Sequence, residues 1–102
     1  MKRYIRSSKA KATWEKQSST DYSLYIDNDW LVSVHKRGNI WEISTSSFND
    51  TAYSLSEAKR NALKLVADEA EDHIEWLQHQ GYTDDEIKDY GKSDPYIRYI
   101  GY

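Results

Sequence analysis

The 102-residue chain has no cysteine, one proline, one phenylalanine, one methionine and only four glycines. Without cysteine there can be no disulfide, no thiolate nucleophile, no iron–sulfur cluster and no thiolate zinc site. The few glycines form neither a P-loop nor a dinucleotide-binding pattern, and no G-x-S-x-G surrounds any of the serines. Long apolar runs are missing as well. No stretch approaches the ~20 residues of a membrane span, and the basic start MKRYIRSSKAKATW lacks the apolar segment of a secretory signal. These absences predict a cytoplasmic protein with no membrane partner, no cofactor, no metal and no catalytic residues.

What is present argues for a folded chain. Leu, Ile, Val and Phe together number only 18, but four Trp and nine Tyr add large apolar area, and the net charge is only −3. Residues 1–102 are therefore expected to form one domain with a small, aromatic-rich core. The modest net charge conceals segregation. Residues 1–17 carry Lys2, Arg3, Arg6, Lys9, Lys11 and Lys16 against Glu15, a surplus of five positive charges. Residues 66–95 carry ten acids against Lys88 and Lys92, a surplus of eight negative charges.

The patterning predicts an α+β fold: a three-stranded antiparallel sheet packed by one long helix, then a short helix and an extended tail. A basic arm covers residues 1–20, and the sheet covers 21–46. Tyr22, Leu24 and Ile26 share one face, then Trp30, Val32 and Val34, then Trp41, Ile43 and Thr45, with turns at Asp27-Asn28-Asp29 and around Gly38. Tyr25, Leu31 and Ile40 fall on the other face and suggest a second cover or a homodimer contact. Residues 47–53 read as a loop. The helix over 54–80 opens on Ser54 and Glu57, a capping box, and carries Ala58, Ala62, Val66, Ala70, Ile74 and Leu77 as one stripe, widened by Leu63 and Ala67. Its Lys59, Arg60 and Lys64 precede its acids, an order that opposes the helix dipole. Such a helix outreaches a six-residue strand, so its acidic end is expected to overhang the sheet. Thr83 and Glu86 form a second box for a helix over 83–91, and residues 92–102 read as an extended aromatic tail.

Three kinds of chemistry can be weighed on these elements. Glu69 with His73, and Glu75 with His79, sit at metal-chelating i, i+4 spacing, but the two histidines point to different sides of the helix and no third ligand converges. Lys36 and Arg37 at a hairpin tip, with Lys2, Arg3, Arg6, Lys9 and Lys11, could contact phosphates beside Tyr4 and Trp14. The acidic surface is more distinctive. Asp68, Glu71, Asp72 and Glu75 form a stripe opposite the apolar one, and Asp84, Asp85, Glu86 and Asp89 extend it if the short helix folds back. Carboxylates along a rigid helix can occupy a basic groove on a partner protein. A solvated stripe, or a stripe covered by the basic arm, are the structural alternatives.

At the helix start, Ala58 and Lys59 within Leu55-Ser56-Glu57-Ala58-Lys59 resemble the second helix of double-stranded-RNA-binding domains. Ser54, Glu57 and Ala58 following strands resemble HicB-type antitoxins. In overall style (short, cysteine-free, rich in Tyr and Trp, charge-segregated) the chain is similar to small accessory proteins of bacteriophages and prophages, anti-CRISPR proteins included. The first two resemblances imply a nucleic-acid-binding or antitoxin-like module. The third implies an inhibitor of a host nucleic-acid-binding or defence (CRISPR-Cas) protein.

Overall fold

A computed structural model describes residues 12–100. The sheet has five antiparallel strands, not three, in the order β1 (Ala12–Ser18), β2 (Asp21–Ile26), β3 (Asp29–Arg37), β4 (Ile40–Ser44) and β5 (Asn49–Ala52). The two additional strands are the edges. β1 takes residues expected in the basic arm, and β5 takes residues expected in a loop. Edge strands meet the core only weakly. In β1 only Ala12 and Trp14 are partly covered, and in β5 only Ala52 is buried.

Each hairpin turn follows from its residues. Asp27 and Asn28 both adopt positive φ, 48° and 73°, the geometry of a two-residue turn that matches strand twist. Gly38, at φ +62°, opens the next hairpin. A bulge corrects the expected face assignment in β3. Leu24 pairs with Val32 but Tyr25 pairs with Trp30, which leaves Leu31 as the extra residue. Leu31 consequently turns into the core, fully buried, whereas Trp30 is thrown to the outer face and donates to Ser33 Oγ at 2.8 Å. Leu31 is thus not available to a second cover, although Tyr25 and Ile40 remain half-buried.

The long helix, α1 (Leu55–His79), buries its entire predicted stripe, Ala58, Ala62, Val66, Ala70, Ile74 and Leu77. Leu63 does not widen it and stays exposed. α1 packs on β3, β4 and β5 and on a third helix, α3 (Pro95–Tyr99). That helix replaces the expected extended tail. Asp94 caps it, accepting from Tyr96 N at 3.0 Å and Ile97 N at 3.3 Å, and Pro95 stands at its first position. Between them, α2 (Asp84–Tyr90) carries the full Thr83–Glu86 capping box and buries Ile87. A Schellman closure ends α1: Tyr82 N donates to Leu77 O at 3.1 Å and Gly81 N to Gln78 O at 3.0 Å, with Gly81 at φ +91°. The acidic half of α1 is thereby covered on its apolar side by α3 instead of hanging free.

The dipole conflict is milder than the charge order suggests. The first turn of α1 holds Glu57 and the last holds His79, both favourable, and the dipole acts mainly on terminal turns. Lys59 has its own partner, since its Nζ lies 4.8 Å from the Tyr22 ring centroid and 5.3 Å from that of Trp14. Arg98 of α3 clamps the β2–β3 turn. Its Nη2 pairs with Asp29 at 2.5 Å, and its Nε lies 3.2 Å from Asp27 without hydrogen-bond geometry.

Candidate functional site

The turn between β4 and β5 is built around Thr45, whose hydroxyl accepts from Phe48 N at 2.8 Å and Ser47 N at 3.3 Å. This holds Ser46, Ser47 and Phe48 beside the middle of α1, while the Asp94 cap holds the start of α3 on the other side. A cleft of about 370 Å³ lies between them, lined by these three turn residues, by Glu69, Asp72 and His73 of α1, and by residues 93–96.

Three hydrogen-bonded groups fix its walls. The Tyr96 hydroxyl donates to Leu31 O at 2.5 Å and accepts from Ser46 N at 3.2 Å, tying α3 to the sheet and the turn. Burial pushes this hydroxyl above the usual tyrosine range; the bonds to Ser46 oppose the rise and the nearby Glu69 adds to it. Asp94, 6% exposed, uses one oxygen for its cap and the other for His73 Nδ1 at 2.6 Å. The His73 ring in turn meets Tyr90 edge-on at 5.9 Å between centroids, which seats α2.

Glu69 differs from the other wall residues. It is 7% exposed, its Oε1 accepts from Ser46 Oγ at 3.0 Å, its carboxylate interacts with the Tyr96 hydroxyl, and its Oε2, closed to solvent, makes no hydrogen bond of good geometry among the described residues. An uncompensated buried carboxylate oxygen is costly, because water that would solvate it has been removed. A second depression of about 330 Å³ adjoins the cleft and shares Phe48 and Asp72 with it; Leu65, Asp68 and Glu71 complete its lining. A third, of about 410 Å³ beside Thr13, Glu15 and Tyr25, contains no such orphaned group.

The structure brings together part of the expected acidic surface. Asp68, Glu71 and Asp72 line the adjoining depressions, with Glu75 exposed one turn further along α1. The α2 acids have other work. Glu86 is committed to its capping box, where hydrogen bonds to Thr83 hold its carboxyl below the usual range, and Asp89 pairs with Lys92 at 3.0 Å. Asp84 and Asp85 are exposed in the first turn of α2, where they suit the dipole. Of the alternative basic set, Lys36 is exposed and Arg37 pairs with Glu42 at 3.2 Å; Lys2, Arg3, Arg6, Lys9 and Lys11 lie outside the described residues.

Among the described residues, no group of three or more His, Asp or Glu side chains is placed to hold a metal, and no helix is long and apolar enough to cross a membrane. Glu69 was visible in sequence only as a possible metal ligand. A better signal was its position inside the apolar stripe, three residues after Val66 and beside Ala70, where a carboxylate must be buried. No family model matches the chain, and neither the curated proteins nor the solved structures contain a match.

Proposed function

We propose that the chain is a cytoplasmic, non-enzymatic binding protein that docks the acidic ridge of α1 into a basic groove of a partner protein. The observation that carries this reading is the continuity of Asp68, Glu71 and Asp72 with two adjoining depressions that also expose Phe48, 37% accessible. An apolar anchor set among carboxylates suits a cationic partner surface, giving electrostatic steering and a desolvated contact at one place. A basic groove of this kind ordinarily holds phosphates, so occupying it would inhibit a nucleic-acid-handling protein.

The test compares the parent chain with the variant D68K/E71K/E75K as baits in a bacterial lysate. Supporting capture is retained by the parent, lost by the variant and displaced by added DNA or RNA. A partner held equally by both baits would end the proposal. The nucleic-acid alternative rests on the exposed Lys36 hairpin tip, and a direct titration with DNA and RNA across salt concentrations decides it.

A further inference from the structure

We infer that an aromatic band, Trp76 with Tyr82 and Tyr90, is the hot spot of the partner contact, and that a basic, apolar-faced segment of the partner protein occupies it. The inference rests on the docking reading above and extends that contact from α1 onto α2. Seven large hydrophobic side chains are exposed among the described residues, and four of them, Phe48, Trp76, Tyr82 and Tyr90, join into one run. Phe48 and His73 line the same cleft. The His73 ring meets Tyr90 edge-on at 5.9 Å, and Tyr90 meets Tyr82 edge-on at 6.4 Å. Trp76 follows His73 at the i, i+3 spacing that makes helical side chains neighbours. Exposed apolar surface gathered in this way marks an interaction site, whereas scattered single residues do not.

Within the band the rings differ in their ties to the fold. Tyr82 and Tyr90 are held by their edge-on contacts, so little side-chain freedom remains for a partner to remove. Trp76 is 55% exposed, while Ile74 and Leu77 on either side of it in sequence supply the core. Its indole is therefore the large side chain of α1 that packing does not use. Charge then selects the occupant. Asp72 precedes Trp76 by four residues and Glu75 by one, so the acidic ridge runs along one edge of the indole. At the other end of α1 the chain supplies its own cation, with Lys59 Nζ over the Tyr22 and Trp14 rings. Among the described residues no lysine or arginine lies over Trp76, and Lys92 of the neighbouring segment is paired with Asp89. Carboxylates beside an exposed indole repel phosphates and suit a cation that stacks on the ring while pairing at its edge.

The experiment titrates the full chain with a synthetic amphipathic peptide of about 14 residues, leucine on one face and lysine and arginine on the other. One comparator replaces its leucines by serine, and a second replaces its cations by glutamate. Calorimetry and the indole N–H NMR signals follow binding. The parent chain is expected to bind the basic peptide, the serine comparator at least about tenfold more weakly, and the glutamate comparator not at all. Trp76→Ala, at an exposed position that does not threaten folding, should weaken the basic peptide at least about tenfold, and Tyr82→Ala by a smaller factor. Trp76→Phe, which keeps a ring, should retain most of the binding. Tyr53→Ala, at 84% exposure near the other end of α1, should change nothing. No binding of the basic peptide, equal binding of the serine comparator, or full binding by Trp76→Ala would overturn the inference. Oligothymidylate binding that Trp76→Ala abolishes would assign the band to nucleic acid, and self-association that it abolishes would assign the band to a second copy; either overturns it. Failure here with capture lost by D68K/E71K/E75K would leave the docking proposal standing; loss of peptide binding in Trp76→Ala with that capture unchanged would do the reverse.

Discussion

Asp94 and Glu69 line the same cleft and are buried almost equally, at 6% and 7% exposure, but their surroundings differ sharply. Both oxygens of Asp94 are occupied, by two backbone N–H groups and by His73. Glu69 has one oxygen bonded to Ser46, while the other makes no hydrogen bond of good geometry among the described residues. A buried charge with a complete set of partners holds structure together, whereas one left incomplete costs stability in the isolated chain. The contrast separates a carboxylate held at both oxygens from one held firmly at a single oxygen.

The sharpest break of that comparison is Asp94→Ala. Losing the α3 cap and stranding His73 should cost about 2–4 kcal/mol, read as a lowered denaturation midpoint, with Asp94→Asn costing less because one cap acceptor survives. A cost equal to that of an ordinary surface substitution would show that Asp94 does not hold α3. Glu69→Gln should cost less, within about 1 kcal/mol of the parent, because the amide keeps an oxygen to accept from Ser46 Oγ. Clear destabilisation would mean that Glu69 is fully satisfied in the folded chain.

The smallest effect concerns an exposed counterpart, Asp21. Its carboxyl is held below the ordinary value of 3.8, chiefly by His35 at 2.5 Å, with Ser18 and Thr20 assisting. A carboxyl depressed on folding contributes stability above its unfolded value and loses it as pH falls through the folded value. The difference in midpoint between the parent and Asp21→Asn should therefore be full well above the ordinary carboxyl value of 3.8 and shrink as pH falls below it. A difference that widened on acidification would reverse the sign.

Local features of the fold were legible in the sequence, and features set by tertiary contact were not. Ser54, Thr83 and the stripe from Ala58 to Leu77 act within a few residues, so the pattern alone located both helices. β5, with the sequence NDTA, has one buried residue and no alternation to detect. In β1 the charges of Glu15 and Lys16 hid the partly covered Ala12 and Trp14. The Leu31 bulge exchanged two side chains between faces, which strict alternation cannot anticipate. α3 was a different kind of miss, since Asp94-Pro95 is a readable helix start that the aromatic and β-branched residues after it obscured. The same reasoning applies to the site. The exposed acids could be read from spacing, but the surroundings of Glu69 are set by Ser46 and Tyr96, 23 residues before it and 27 after it.

The Tyr96 bond to Leu31 spans 65 residues and the Arg98 bond to Asp29 spans 69, whereas every strand of the sheet pairs with its immediate successor. The meander can therefore form early as the chain leaves the ribosome, one hairpin at a time, because its contacts are short in sequence. The cleft has no such early existence, since one of its walls is residues 93–96. The cleft is thus completed only with α3, after the sheet and α1 have been made.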